Sequence, residues 1–286
     1  MDEIKISERT IDLEKVFREK NKGASKFIPG FIFGLLRKIV HEKEINRVLW
    51  NYRDYEGLPF VDYLVQDFGA RVSYTGLENI PRDGRFIISA NHPLGGLDGI
   101  VLMQVIGKTK KDIVFPVNDI LLFIPNLQPL FIPINKHGSN MENIRIIDET
   151  FASDKTMLFF PAGLVSRKQK GKIEDLDWKK TFISKAIKFK RDIIPTFIDG
   201  KNSNFFYNLA KLRKKLGLKA NIEMLFLPNE MFNQKNKSIN IIIGQPIPYQ
   251  TFDKRHNFNE WAAKVKAYVY ALGNGLKDPF DPNQNY

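Results

Sequence analysis

The sequence predicts an α/β protein with a mostly parallel central sheet flanked by helices, preceded by a helical N-terminal region. Two observations indicate this class. From residue 71 onward, short apolar runs of strand length alternate with helical segments, as expected where helices connect parallel strands and cover both faces of their sheet. In addition, 43% of the 286 residues are hydrophobic and 27% are charged, the composition of a globular protein with a sizeable core.

The helical N-terminal region is predicted to span residues 1–68. Its most apolar part, residues 26–41, carries basic residues at both ends. This segment either buries its apolar side chains against the protein or lies in a membrane interface with its basic ends at the lipid headgroups. Its apolar run contains proline and glycine and is too short to span a bilayer. A further helix is predicted at residues 60–68.

The sheet and its helices are predicted to form an α/β domain over residues 69–275, followed by a loose tail at 276–286 that contains prolines and polar residues. The predicted strands are short apolar runs bounded by turn residues, at 72–75, 86–90, 113–117, 130–134, 157–160, 193–198, 224–227 and 239–244. The predicted helices are 98–106, 140–152, 178–190, 203–216 and 258–272.

Charge and cysteine content narrow the possible functions. The 44 Lys and Arg against 32 Asp and Glu leave a net charge of +12, which favours anionic membranes, acidic carrier proteins, phosphorylated ligands or nucleic acid. No nucleic-acid-binding signature is present, and the phenylalanines do not alternate with basic residues, so nucleic acid is not expected. The absence of cysteine excludes disulfides, thiolate catalysis and cysteine-bound zinc.

One turn combines the residues that general base catalysis requires. The predicted strand 86–90 leads into a glycine-rich turn with His92, Gly95 and Gly96, and a helix restarts at Asp98. A carboxylate on Nδ1 of a histidine holds the tautomer whose Nε2 can accept a proton. Alternatively, Asp98 caps the helix and His92 is an ordinary turn residue. The two roles of Asp98 are compatible.

Four stretches, in order, resemble the motifs of one enzyme family. They are NHPLGGLDG at 91–99, LFIPINKHG at 130–138, FFPAGLVSR at 159–167 and IIPTFIDG at 193–200. The sequence thus resembles glycerophospholipid acyltransferases of the lysophosphatidate type, and within them the bacterial hemolysin-like branch. The resemblance implies a glycerol-phosphate acyltransferase-like fold.

The resemblance also implies a reaction. His92, oriented by Asp98, would deprotonate a lyso-lipid hydroxyl that attacks the thioester of acyl-carrier protein or acyl-CoA. No metal and no cofactor beyond this acyl donor is expected. Lys136 and Arg167 would hold an anionic headgroup, and backbone N–H groups at Gly95 and Gly96 or after Gly163 are candidates to bind the oxyanion. The implied substrate-binding residues are Asn91, Gly95, Gly96, Lys136, Gly163, Ser166 and Arg167.

Two departures from the family pattern concern this site. Five residues, instead of four, separate His92 from Asp98, and we expect a bulge in the glycine turn to absorb the extra one. The third motif has Ala162 where the family usually has Glu, which removes a carboxylate from the acceptor site. The identity of the acceptor is therefore open.

The main functional hypothesis is acyl transfer to a lyso-lipid resembling 1-acylglycerol-3-phosphate, at the cytoplasmic face of an anionic membrane, by a peripheral protein without a transmembrane span. An alternative is O-acylation of lyso-ornithine or lyso-glycine aminolipids, an activity associated with the hemolysin-like branch. A third hypothesis, from another functional class, is a catalytically silent membrane lipid-binding protein, because the spacing is altered and the Glu is missing.

Overall fold

The computed structural model describes residues 11–20, 29–118, 124–134, 140–169 and 171–286. The helices are α1 (Leu13–Lys20), α2 (Gly30–Ile39), α3 (Glu42–Asn51), α4 (Gly57–Phe68), α5 (Gly96–Ile106), α6 (Asn140–Ala152), α7 (Thr181–Phe189), α8 (Asn204–Lys215), α9 (Leu227–Phe232) and α10 (Phe258–Gly273). The strands are β1 (Arg71–Thr75), β2 (Phe86–Ala90), β3 (Ile113–Asn118), β4 (Phe131–Ile134), β5 (Thr156–Phe159), β6 (Arg167–Gln169), β7 (Lys172–Glu174), β8 (Asp192–Ile198) and β9 (Ser238–Ile243).

Seven strands form one mostly parallel sheet in the order β1-β9-β8-β2-β5-β3-β4, which confirms the predicted fold class. Within it, β8 and β9 pair antiparallel, with Ile198 opposite Ile241, whereas the other neighbouring strands in the described part of the chain pair parallel. The carboxyl ends of β8, β2, β5, β3 and β4 therefore share one edge of the sheet. Strand β9 starts at that same edge.

Helices cover both faces of the sheet, as predicted. The side chains of β2 alternate between the faces, so Ile88 joins a core with α4 and α5 whereas Ile87 joins a second core with α7 and α10. Leu49 of α3 and Phe60 of α4 are almost fully buried in the first core. Helices α3 and α4, which precede the sheet, thus share its core.

Helix α2 lies within the apolar stretch predicted at 26–41, and only part of its apolar surface is buried against the protein. Phe33 is fully buried, whereas Phe31 and Leu35 are 78% and 58% exposed. Phe31 and Leu35 are four residues apart and lie on one side of the helix. Across the described ranges, every helix falls short of the length or the hydropathy needed to cross a bilayer.

The prediction of a strand at 224–227 is wrong. The chain there forms a 3-10 helix (Ile222–Phe226) that continues into α9, where Pro228 occupies the first turn, a position that tolerates its missing N–H. Glu223 is fully buried whereas Leu225 is half exposed, which reverses the burial expected from polarity. A short apolar run does not by itself distinguish a strand from a helical turn. The antiparallel hairpin of β6 and β7 was not predicted.

The tail at 276–286, predicted to be loose, packs against α10. The rings of Phe280 and Tyr286 lie 5.4 Å and 5.1 Å from that of Tyr268, and the Tyr268 hydroxyl donates to the carbonyl of Asp278 at 2.9 Å. The prolines and polar residues on which the prediction rested do not outweigh these aromatic contacts.

Candidate active site

The predicted catalytic turn lies at the carboxyl edge of the sheet, between the end of β2 and the first residue of α5. Gly95 has φ +79°, a conformation that residues with a Cβ rarely adopt. A Cβ at Gly95 would also lie 3.2 Å from the side chain of Leu227. Both observations explain why this turn needs glycine at position 95.

His92 and Asp98 are in contact within this turn, despite the five residues between them. The Nδ1 atom of His92 lies 2.9 Å from Oδ2 of Asp98. The same oxygen accepts the backbone N–H groups of Leu94 at 2.7 Å and Gly95 at 3.0 Å. Asp98 is fully buried, and burial raises the pKa of its carboxyl, although the bonds to His92 and Leu94 oppose this by stabilising the anion.

A second contact, with the ring of Phe160, fixes the orientation of the His92 imidazole. It stacks on Phe160 with ring centroids 4.1 Å apart and an angle of 18° between the planes, and Phe115 meets Phe160 edge-on at 5.1 Å. The His92 side chain remains 17% exposed. With Nδ1–H donating to an ionised Asp98, the lone pair of Nε2 is available to accept a proton.

Asp175, which the sequence analysis did not single out, anchors the backbone of His92. Its Oδ1 accepts the N–H of His92 at 3.1 Å and the hydroxyl of Ser166 at 2.6 Å. Its Oδ2 accepts the indole N–H of Trp178 at 2.8 Å. In return, the N–H of Ser166 donates to the carbonyl of His92 at 2.8 Å. The sequence holds no signal for this role, because Asp175 is one of several acidic residues in a polar stretch.

Two residues predicted to bind substrate are instead engaged within the protein. The amide of Asn91 donates to the carbonyl of Ile198 at 2.9 Å and accepts its N–H at 2.7 Å, which ties the end of β2 to the end of β8. Asn91 is 2% exposed and Ser166, bonded to Asp175, is 1% exposed. The structure corrects both assignments, since these buried side chains hold the turn of His92 through bonds within the protein.

The three glycines predicted to bind substrate differ in whether their backbone N–H already has a partner within the protein. The N–H of Gly95 already donates to Asp98, and that of Gly163 donates to the carbonyl of Phe160 at 3.0 Å. Gly96, exposed at the first position of α5, presents one of the helix N-terminal N–H groups that have no partner within a helix. Lys136 lies outside the described residues. Among the residues whose placement is described, no three acidic or histidine side chains cluster as metal ligands.

Arg167 does not have the role predicted for it. It is 4% exposed, its guanidinium lies 3.0 Å from Oε1 of the buried Glu223, and it covers the ring of Phe206 at 5.1 Å. Arg213 is a second cationic neighbour of Glu223 at 2.9 Å. Burial lowers the pKa of Arg167, and Glu223 offsets this. The structure contradicts anion binding by Arg167, because its buried guanidinium is already engaged by Glu223 and by the carbonyl of Val165.

Replacing Arg167 with alanine should therefore destabilise the fold and leave acceptor affinity unchanged. We expect the free energy of unfolding in urea to fall by about 2–4 kcal/mol, since a buried Glu223 loses one of its partners. The control is Arg255→Ala, which removes an exposed ion pair with Asp253 and should change stability little. A stable Arg167→Ala protein with weakened acceptor binding would restore the original assignment.

Comparisons with known proteins identify a family and named relatives of the chain. A family model described as "Acyltransferase" matches residues 15–278. A lyso-glycine lipid O-acyltransferase of Bacteroides thetaiotaomicron is 45% identical over 264 residues, which are 92% of this chain and 97% of that protein. One of the same name from Phocaeicola vulgatus is 44% identical over 264 residues, 92% of this chain and 95% of that protein.

A solved structure is also similar in part. It is the 1-acyl-sn-glycerophosphate acyltransferase PlsC of Thermotoga maritima, with a TM-score of 0.46 and 18% identity, covering 93% of this chain and all of that one. The family match extends over most of the chain and includes the turn that joins His92 to Asp98. The protein is a member of the acyltransferase family.

Proposed function

We propose that this acyltransferase adds a fatty acyl chain to the hydroxyl of a lyso-glycine lipid. The observation that carries the proposal is the contact between His92 and Asp98 at the carboxyl edge of the sheet, 2.9 Å between Nδ1 and Oδ2. The names of two relatives that match 92% of the chain at 45% and 44% identity support glycine as the headgroup. This favours the aminolipid alternative over the lysophosphatidate-like acceptor.

His92 acts as a general base in this reaction. Its Nε2 accepts the proton of the acceptor hydroxyl while the hydroxyl oxygen attacks the thioester carbonyl. The tetrahedral intermediate then collapses, the C–S bond breaks, and the proton passes from Nε2 to the departing thiolate. Asp98 stabilises the imidazolium between these two steps, and stacking on Phe160 keeps the ring in place.

The start of α5 stabilises the oxyanion of this intermediate. Gly96 is exposed, and its N–H is the second candidate donor of the glycine turn, since the N–H of Gly95 binds Asp98. Aligned peptide dipoles also make a helix N-terminus favourable for negative charge. One fixed donor of this kind contributes about 10²–10³-fold to the rate of an acyl transfer.

The acceptor site suits a small, singly charged headgroup. Ala162 is buried where the family usually has Glu, and Arg167 is paired with Glu223. The structure offers Lys179 in their place: it is exposed, and a Cβ on Gly163 would lie 3.0 Å from its Nζ. A glycine acylated on its nitrogen keeps one carboxylate, which one or two lysines can neutralise. Lys136 remains the second candidate.

Replacing Lys179 with alanine should raise the KM for the acceptor about tenfold and leave the KM for the acyl donor unchanged, because a charged hydrogen bond to the headgroup is lost. The measurement is initial-rate kinetics with each substrate varied in turn. Lys180→Ala is the matched control, an exposed lysine one position along the chain. Equal acceptor KM values in wild type and both variants would show that Lys179 does not bind the headgroup.

The proposed function is tested by a transfer assay with a labelled acyl thioester and three acceptors: lyso-glycine lipid, lyso-ornithine lipid and lysophosphatidate. We expect transfer to lyso-glycine lipid in wild type and none in His92→Ala. Transfer to lysophosphatidate alone would overturn the proposed acceptor. No transfer to any acceptor, from either donor, would favour the catalytically silent lipid-binding protein.

The donor and the location complete the proposal. The acyl group comes from acyl-carrier protein or coenzyme A, and the thioester is a co-substrate, so the reaction needs no cofactor. The protein works as a peripheral protein at the cytoplasmic face of an anionic membrane, where its lipid acceptor resides. The net charge of +12 supports this location, as do the exposed Phe31 and Leu35 of α2.

A further inference from the structure

We propose that α8 and the residues after it form a second membrane contact, which delivers the catalytic turn to an anionic bilayer. We call it the α8 surface, and it rests on the proposed function only in that the acceptor is a membrane lipid. Its apolar residues are Phe205, Leu212, Leu216, Leu218 and Leu225, and its basic residues are Lys211, Lys214, Lys215 and Lys219.

The apolar residues of α8 follow a stripe that the protein leaves open. Phe205, Leu209, Leu212 and Leu216 are spaced by four, three and four residues, which places them along one side of a helix. Phe205, Leu212 and Leu216 are 53%, 52% and 63% exposed. The buried residues of α8 lie on a different side, at Phe206, Tyr207, Ala210 and Arg213.

The apolar stripe continues into the segment that follows. Leu218 is 47% exposed and Leu225, in the 3-10 helix, is 50% exposed. The ring of Phe205 meets that of Phe226 at 5.1 Å, which joins the start of α8 to this 3-10 helix. Five large apolar side chains on neighbouring elements, each about half exposed, form the type of patch that marks a binding surface.

Charge identifies the partner as an anionic bilayer. Lys211, Lys214, Lys215 and Lys219 are all exposed, and lysines beside an open apolar stripe are typical of helices that lie in a membrane interface. A negatively charged membrane surface attracts each such residue. An acidic carrier protein would complement the charge of the lysines, but it would not explain the exposed apolar stripe that runs along α8 and the 3-10 helix.

The α8 surface is connected to the catalytic turn. Phe226 is followed by Leu227, whose side chain borders Gly95, since a Cβ there would lie 3.2 Å from it. Asn202, just before α8, donates from its amide to the carbonyl of Pro93 at 3.1 Å. A bilayer that receives Phe205 and Leu225 is thus placed beside the turn that holds His92, where a lipid hydroxyl must arrive.

The first test measures vesicle binding without any substrate. Vesicles contain equal parts of phosphatidylethanolamine and phosphatidylglycerol, with phosphatidylcholine vesicles for comparison. We expect wild type to bind the anionic vesicles, with binding that weakens as salt is added. Leu212→Ser with Leu216→Ser, and separately Lys214→Gln with Lys215→Gln, should each weaken binding about tenfold.

Matched controls distinguish a specific surface from general effects of polarity and charge. Ile144→Ser with Phe258→Ser changes two exposed apolar residues on α6 and α10, and Lys254→Gln with Lys277→Gln removes two exposed lysines elsewhere. Both control proteins should bind vesicles as wild type does. Equal binding by the α8 variants and these controls would overturn the proposal.

A second measurement separates this proposal from the proposed function. The α8 variants should lose transfer to lyso-lipid in vesicles and retain transfer to the same acceptor in detergent micelles. Wild type that binds vesicles through α8 but transfers nothing would refute the function and leave the surface standing. Variants that bind vesicles normally but fail only with acyl-carrier protein, and not with acyl-CoA, would assign the surface to the carrier and overturn the membrane proposal.

Discussion

Replacing His92 with alanine is expected to reduce the rate of acyl transfer by about 10²–10⁴-fold, the usual contribution of a general base. The reason is the position of the imidazole, with Nδ1 bound to Asp98 at 2.9 Å and the ring stacked on Phe160 at 4.1 Å. The measurement is kcat at saturating acceptor and donor. The loss should appear in kcat and leave the KM of both substrates almost unchanged, because His92 acts on the reacting proton.

The His92→Ala protein should remain folded. It loses one hydrogen bond and one stacking contact, so we expect the free energy of unfolding to fall by no more than about 2 kcal/mol. His256→Ala is the matched control, since it removes an imidazole in contact with Trp261 and far along the chain from the turn. His92→Ala with wild-type kcat would refute the proposed mechanism.

Replacing Asp98 should have the next largest effect, and its size should depend on the replacement. Oδ2 of Asp98 accepts three donors, from His92, Leu94 and Gly95, whereas its fully buried Oδ1 accepts no hydrogen bond within the described residues. An asparagine can place its oxygen on the same three donors, which keeps the tautomer of His92. The negative charge is lost, and an NH₂ group without an acceptor takes the place of Oδ1. We expect kcat to fall about 10²-fold in Asp98→Asn.

Asp98→Ala should be more severe, in both activity and stability. It leaves two buried N–H groups without an acceptor, each at a cost of about 1–3 kcal/mol, and it frees the imidazole to rotate. Asp199→Asn, at an exposed carboxylate just after β8, is the control. Equal kcat in Asp98→Asn and wild type would show that the charge of Asp98 plays no part in catalysis.

Much of the fold could be predicted because its central strands, such as β2, are buried on both faces. Residues 86–90 and helix 140–152 were predicted with the bounds that the structure has, since each is a distinct periodic run between turn residues. The prediction of a strand at 224–227 failed because this apolar run is only four residues long and because its neighbour Glu223 is paired inside the protein. Such burial of a charge depends on a partner distant in sequence, here Arg167, which lies 56 positions away.

In the candidate site too, local contacts could be predicted from the sequence and long-range contacts could not. His92 and Asp98 could be predicted because one local turn holds both. Asp175 could not, because the β6–β7 hairpin brings it to His92 from 83 positions away. Arg167 was misassigned because the motif suggests a free cation, and only the structure shows Glu223 and Phe206 around it.

The reversed direction of β9 makes residues 199–237 an insert that begins and ends at one edge of the sheet. Since β9 runs antiparallel to β8, the chain leaves the sheet and re-enters it at the same edge. The insert holds α8, the 3-10 helix and α9, and it covers the edge where the glycine turn lies. The length of this insert can therefore change without altering the strand order of the sheet, because both of its ends lie at the same edge.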